Sequence, residues 1–433
     1  MSRKFATSIG VENDVQDQID PIDAEIATDA LEVNEVSADL IDDVEDVEVL
    51  TDQTQDLENQ VEEIEVLEDE VEAALENDNL EAAEVGMEAI RGRLRTIQES
   101  HGLNFSSILD RASKESIGAN PKHLKTNLRI GLEGFTDTIK KIWQAIKDGF
   151  KKAWDWLADF WHKYVSEAGR LERTIESLEK TVREVRGTPK PEADMVAPGG
   201  LQKIVYGEGA IDKAAISALL AAQTTATTEV NEFSNALAKA AAFFKDTKES
   251  NIAAQIGSAK GEIIKFAPEG GKTTEFGKQD SPLAGGFFGN ITGTSSGEGE
   301  EFKVEFKWTK DGRDPVTGDK RKFVPGAKGD LTSVLSEAKV LVKAAIALGK
   351  DFSNSKKALD EALKGIDKLA SAGSEDKESG LEKQYKAVTH IFNEISKAIP
   401  GVTSTIAKLD IQAGQGAVAY VTTSLKTYKE DEK

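Results

Sequence analysis

One amphipathic segment decides the fold of this 433-residue chain: residues 135–164 read FTDTIKKIWQAIKDGFKKAWDWLADFWHKY. Its large apolar side chains recur at intervals of three and four residues, which places them on one face of an α-helix. Four of the five tryptophans of the chain lie in this segment, and lysines and aspartates fill the remaining surface. The segment therefore predicts a long helix with one aromatic face, formed by Phe135, Ile139, Ile142, Ile146, Phe150, Trp154, Leu157, Trp161 and Tyr164.

The aromatic face of this predicted helix allows two interpretations. Amphipathic faces ordinarily pack against partner helices in a core. Tryptophan beside a lysine-rich surface is also typical of helices that lie in a membrane interface. The sequence thus marks the face as a site of contact with a partner or, as the less favoured alternative, with a membrane. Its candidate contact residues are Trp143, Phe150, Trp154 and Trp161.

Alternating sequence replaces the helical period in one later region. Residues 302–308 read FKVEFKW, the apolar and charged alternation of a half-buried strand. We predict further strands at Glu262–Phe266 and Arg321–Val324, so that a small antiparallel sheet is inserted between helices. Around it, Gly349 and Pro400 are expected to end helices, because both residue types disfavour a helix interior.

These patterns predict a mainly α fold, with helical bundles, a small antiparallel β-sheet insertion and a disordered acidic N-terminal arm. The proline- and glycine-rich stretch between the two helical regions is expected to be a linker. The predicted domains are the acidic disordered arm at 1–54, an acidic helical hairpin at 55–100, a helical domain with the Trp- and Lys-rich helix at 101–187, the linker at 188–200, and a helical bundle at 201–433 with its β insertion at about 261–325.

The acidity of the chain comes from one block. Residues 11–88 contain thirty Asp and Glu residues and no Lys or Arg, whereas the formal charge of the whole chain is −23. The rest of the chain therefore sums to +7. Like charges without basic partners repel, so we expect the first part of the block to stay disordered. The block is either a solvated interaction tail or a removable propeptide.

The composition offers little for catalysis or for cofactor and metal binding. There is no cysteine, and the four histidines are scattered along the chain. The stretch 270–273, GGKT, resembles the end of a phosphate-binding loop, but Phe266 stands where that loop needs glycine. The segment 311–322 lacks the final Glu of a calcium loop. We therefore expect no catalytic residues, cofactor, metal or small-molecule ligand.

Two contacts with larger partners need consideration. No apolar stretch reaches the roughly 18 residues that a membrane-spanning helix needs. Lys320, Arg321 and Lys322 form the densest basic cluster, which supports at most weak, non-specific and salt-sensitive contacts with DNA.

The chain has, in this order, an acidic arm, a helical pair, an Arg-rich junction and the helix that begins Phe135-Thr-Asp-Thr-Ile-Lys-Lys-Ile-Trp. Over residues 55–190 this order resembles internal head proteins of large tailed bacteriophages. The resemblance implies a protein that is packed with the scaffold and trimmed by a head-maturation protease. In those families, cleavage follows a Glu that has a small or aliphatic residue two positions before it. Gly86-Met87-Glu88 and Ile97-Gln98-Glu99 are similar to such sites, so Glu88 and Glu99 are the candidate cleavage residues.

We therefore expect a non-enzymatic virion structural protein in the capsid interior, present in the host cytoplasm during assembly. Its expected partners are other virion or scaffold proteins and packaged DNA. Two alternatives remain open from the sequence: a membrane-active or host-directed effector ejected with the DNA, and an acidic cytosolic scaffold protein.

Overall fold

The computed structural model describes Gln53 and residues 56–57, 59–103, 121–190, 195–206, 209–248, 250–264, 272–278, 281–295, 302–310, 321–373 and 381–429. Within these ranges the chain is mainly helical and carries a small antiparallel sheet, which confirms the predicted fold class. The predicted arm lies outside the described residues, apart from Gln53.

The helices are long, and several begin or end at a recognisable capping residue. Asn79 accepts a hydrogen bond from the Ala82 amide at 3.2 Å and caps the start of α2, and Gly102, with φ 67°, caps its end. Asp212 caps α5 through the Ala215 amide at 2.9 Å. The helices are α1 (59–76), α2 (Leu80–His101), α3 (Pro121–Glu184), α4 (Gly199–Ile204), α5 (Lys213–Ala242), α6 (Ile252–Ile264), α7 (Lys328–Gly373) and α8 (Leu381–Leu425).

The core of the bundle lies where α3, α5, α7 and α8 pack on one another. Helix α8 is the most enclosed of these, since nearly every side chain from Val388 to Ile406 is buried, polar ones included. Helix α3 is 64 residues long and runs through the whole segment quoted above. It begins at Pro121, a residue whose fixed φ suits the first helical position.

Helices α1 and α2 form an antiparallel hairpin that packs on α3. Their pairing is shown by an ion pair between Glu63 and Arg93 at 2.9 Å and by a contact between Asp56 and His101 Nε2 at 3.2 Å. The hairpin turns through Asp78, which has a positive φ of 58°. Its apolar side chains face inward, while its many carboxylates line the outside. The buried residues are Leu57, Val61, Ile64, Val71, Leu75, Ala83, Met87, Ile90, Leu94 and Ile97.

The inserted sheet has the order β2 (Lys272–Phe276), β3 (Phe287–Ser295) and β4 (Phe302–Lys310), all antiparallel. Strand β4 matches the alternating stretch predicted from the sequence, but its neighbour is β3. Arg321–Val324 was predicted to be a further strand of this sheet, but it makes isolated bridges instead, from Lys322 to Val196 and from Phe323 to Ile211. The strand predicted at Glu262–Phe266 is wrong, because α6 continues to Ile264 and the remaining two residues lie outside the described ranges.

A second, two-stranded sheet joins distant parts of the chain. Strand β1 (Thr188–Pro189) pairs with β5 (Tyr428–Lys429) at the end of α8. The Ala197 amide also donates to the Arg321 carbonyl at 3.0 Å. The described parts of 188–200 are therefore hydrogen-bonded to the C-terminal region.

The predicted helix ends at Gly349 and Pro400 are wrong, because α7 and α8 continue through them. Gly349 is buried, and a Cβ there would come within 2.5 Å of Val165 Cγ2, so glycine permits the close approach of α3. Pro400 has no amide hydrogen to donate to the carbonyl of Ser396 one turn earlier, so α8 continues with one helical hydrogen bond fewer. Tertiary packing on every side offsets the local cost of both residues.

Candidate functional site

The aromatic face of α3 lies inside the bundle. Trp154 and Trp161 are 4% and 2% exposed, and both stack on Phe352 of α7 with ring centroids 5.2 Å apart. Tyr164 packs edge-on against Trp161 at 4.8 Å. The side chain of Phe150, the fourth candidate, lies outside the described side chains. The two buried tryptophans thus contact α7 of the same chain.

Trp143, the remaining candidate on this face, joins α3 to the acidic hairpin. Its indole Nε1 donates a hydrogen bond to Glu65 Oε1 of α1 at 2.9 Å. Glu62, one turn before Glu65 in α1, lies 3.5 Å from His390 of α8. At the hairpin turn, Asp78 pairs with Lys125 of α3. Specific polar contacts therefore hold the hairpin against the bundle in addition to its apolar face.

Replacing Trp143 by phenylalanine should lower the free energy of unfolding by about 1–2 kcal/mol, because Glu65 loses a partly buried, charge-assisted hydrogen bond. Urea denaturation measures the loss. Trp156→Phe is the matched control, since half-buried Trp156 makes no described hydrogen bond to the hairpin. Equal losses in the two variants would mean that ring size, and not the hydrogen bond, carries the effect.

A buried carboxylate lies where α3, α5 and α8 meet. Asp410 of α8 is 2% exposed, and its Oδ1 accepts from Gln223 Nε2 at 2.9 Å and from the Thr227 hydroxyl at 2.6 Å. Its Oδ2 accepts from the Tyr164 hydroxyl at 2.9 Å. We call Asp410, Gln223, Thr227 and Tyr164 the Asp410 cluster. The cluster joins three helices through one carboxylate. The partners of this carboxylate in the cluster are all neutral side chains.

Burial sets the protonation of the Asp410 cluster. Desolvation raises the pKa of Asp410 from 3.8 to about 7, although the donors Thr227, Gln223 and Tyr164 each favour the ionised form. Burial and the neighbouring Asp410 raise the pKa of Tyr164 well above its ordinary value, so this phenol stays a donor. The arrangement indicates a structural role, because three neutral donors on two helices hold one carboxyl group of a third helix in place.

The candidate cleavage residues both lie in α2, in different surroundings. Glu88 is exposed in the middle of the helix, pairs with Arg91 at 2.9 Å, and follows Met87, which is 2% exposed. Glu99 is exposed in the last turn, two residues before the helix ends at His101. The bond after Glu99 is therefore near a helix end, whereas the bond after Glu88 is enclosed by helix on both sides.

The other sequence candidates do not come together. Arg321 donates to the carbonyls of Gly209 at 2.9 Å and Val205 at 2.5 Å, so it fixes backbone, while Lys320 lies outside the described residues. The stretches 270–271 and 311–320 also lie outside them, and Lys272 begins β2. Among the described residues, no cluster of three His, Asp or Glu could hold a metal ion. No described helix is both long and apolar enough to cross a membrane.

One basic feature of α7 was missed from the sequence. Lys343, Lys350, Lys357 and Lys364 are all exposed and follow one another at intervals of seven residues. A seven-residue interval returns to nearly the same face of a helix, so these lysines form one line. The interval itself was the available signal, but the predicted break at Gly349 divided it between two helices.

Comparison with known proteins identifies a family. A family model described as phiKZ-like phage internal head proteins matches residues 23–428, a range that contains α1 to α8. No curated protein and no solved structure matches the chain.

Proposed function

The chain belongs to the phiKZ-like phage internal head proteins, and on that premise we propose that it is a non-enzymatic structural protein packed inside the head. We propose further that its acidic N-terminal segment is removed by cleavage after Glu99 at maturation. Family membership makes it a structural protein of the bacteriophage virion, located inside the capsid, and confirms the resemblance inferred from the sequence. It also implies association with other virion components. The removal of the segment and contact with packaged DNA are our proposals.

The position of Glu99 carries the proposal. Proteases bind an extended chain, so a bond within a helix must first unwind, and helix ends unwind at the lowest free energy. Cleavage after Glu99 needs only the last turn of α2 to open. Cleavage after Glu88 would require the middle of α2 to leave the hairpin, with Met87 and Ile90 pulled out of the core. We therefore favour Glu99 for a protein that has already folded.

The net charges of the two parts of the chain suggest what removal of the acidic segment would achieve. Residues 1–99 carry a net charge of −26, and residues 100–433 carry +3. A strongly negative protein is repelled by DNA phosphates, whereas a slightly positive one is not. After the cut, the hairpin of α1 and α2 must also leave α3. Its departure would thus let the remaining protein lie beside packaged DNA.

We expect the protein from purified particles to begin at Ser100, because only the end of α2 opens readily. Intact-mass measurement identifies the start. The full chain expressed without phage proteins should keep its full mass, and particles carrying Glu99→Gln should lose the Ser100 product. A full-length mass in wild-type particles would refute trimming, and a product that begins at Ala89 would show that the middle of α2 opens.

The membrane-directed alternative gains no support from the described geometry. Trp154 and Trp161, which would enter a membrane interface, stack on Phe352 inside the bundle. A membrane role would require α3 and α7 to separate.

A further inference from the structure

The four exposed lysines of α7 form a long positive line, which we call the lysine row: Lys343, Lys350, Lys357 and Lys364. At 1.5 Å per residue the row extends about 31 Å along the helix. The residues between the lysines on this face are small or polar, such as Ala347 and Asn354, and both are exposed. Ile346, at the edge of this face, is half-buried and packs on the core, so no exposed bulky side chain interrupts the row.

Two acidic groups near the row are already paired with other lysines. Glu361 lies on the same face and pairs with Lys245 at 2.8 Å. Glu176 of α3, the acidic group near Lys343, pairs with Lys339 at 3.0 Å. Among the described residues, the four lysines form no ion pair, although Lys343 lies near Glu176, and Lys357 and Lys364 lie near Glu361. Each lysine can therefore still pair with a further acidic partner.

We propose that residues 11–52 of the same chain dock on the lysine row. This segment contains sixteen Asp and Glu residues and no Lys or Arg, so its charge is opposite to that of the row over its whole length. Exposed ion pairs are individually weak, but several along one line act together. A segment without basic residues can pair in many registers, which suits a row with even spacing.

The path of the chain puts the segment within reach of the row. Glu65 of α1 contacts Trp143 of α3, and Asp367 of α7 contacts Lys147 of α3 at 2.8 Å. Trp143 and Lys147 are one helical turn apart, about 6 Å along the axis. Helix α1 and the C-terminal part of α7 therefore lie on neighbouring parts of α3. A segment of 42 residues can reach at most about 140 Å, which is more than enough to cover the row.

Docking would give the acidic segment a role before any trimming. While it occupies the row, phosphates cannot bind the same lysines, so the protein is kept off DNA both by net charge and by direct competition. The acidic segment can bind the lysine row whether or not the chain is cleaved after Glu99. Only the release of the segment from the row depends on that proposed cleavage.

Zero-length carbodiimide cross-linking of the purified full chain tests the contact, because it joins only carboxylates and amines that touch. We expect carboxylates of 11–52 to couple to the lysine row about tenfold more than to a control set of exposed lysines. This preference should vanish near 1 M salt, where the screening length is about 3 Å. The control set is Lys151, Lys152, Lys180 and Lys239.

Two charge-matched variants complete the test. Changing the four row lysines to Gln should abolish the preferred coupling, whereas changing the four control lysines to Gln should leave it intact. Equal coupling to both sets in the unmodified chain would overturn the proposal. So would coupling found only between chains in a mixture of ¹⁴N- and ¹⁵N-labelled protein, which would mark a contact between copies. These outcomes are independent of the particle mass measurement, so this contact and trimming can fail separately.

Discussion

Replacing Gly365 by alanine is expected to lower the free energy of unfolding by about 3 kcal/mol, because α7 lies against backbone at this position. A Cβ on Gly365 would overlap the carbonyl oxygen of Phe244 and lie 2.8 Å from that of Lys245. The Phe244 carbonyl is also fixed by the Thr247 hydroxyl, which donates to it at 2.8 Å. Neither backbone group can move aside as a flexible side chain would, so α5 and α7 must separate.

Urea denaturation of Gly365→Ala measures this loss, and Gly169→Ala is the control. Gly169 is also inside a long helix, but a Cβ there meets nothing within 4 Å. Alanine favours a helix over glycine, so the control should be stabilised by about 0.5–1 kcal/mol. Opposite signs in the two variants are expected. A Gly365→Ala protein as stable as wild type would show that α7 does not pack against the end of α5 as described.

Replacing Asp410 by asparagine should change how stability depends on pH. Burial raises the pKa of Asp410 from 3.8 to about 7, so between these values the folded protein holds a proton that the unfolded chain has released. The stability contributed by this group is therefore full below pH 3.8 and is lost as the pH rises to 7. The loss is roughly 4 kcal/mol for a shift of this size.

Asparagine has nearly the same shape as aspartate and cannot ionise, so the stability of the variant should rise relative to that of wild type as the pH rises. We expect the difference between their free energies of unfolding to move by roughly 4 kcal/mol in favour of Asp410→Asn from pH 4 to pH 8. Denaturation series at both pH values measure it. Tyr164→Phe is the companion variant. It removes a donor that favours the ionised carboxyl, so it should raise the pKa of Asp410 further and extend the loss of stability to higher pH. Parallel pH profiles for wild type and Asp410→Asn would refute an ionising buried Asp410.

Local sequence predicted the elements whose pattern reflects their burial. The three- and four-residue spacing around Trp154 predicted α3, and the alternation at Phe302 predicted β4. Strand β3 was not predicted, because FFGNITGTS has little apolar alternation and contains two glycines. It is a strand because it pairs on both sides, and Gly289 leaves room for the ring of Trp308.

The Asp410 cluster could not be predicted from local sequence. The stretch KLDIQAG around Asp410 has the composition of an ordinary helix surface. Its carboxylate is buried only because α3 and α5 bring Tyr164 and Gln223 to the same point from residues far away in the chain. The predicted end at Pro400 failed for the same reason, since local propensity does not contain the packing that surrounds α8.

The sequence by itself determined the helical class, the separation of the acidic block from a nearly neutral remainder, and the family, because periodicity, charge and residue order are properties of the chain alone. Only the tertiary structure decided which way the tryptophan face points, since a stripe of Trp154 and Trp161 favours a core but is also compatible with a membrane until Phe352 of α7 is stacked on it. It also decided that the four lysines of α7 share one face, because a single helix continues through Gly349.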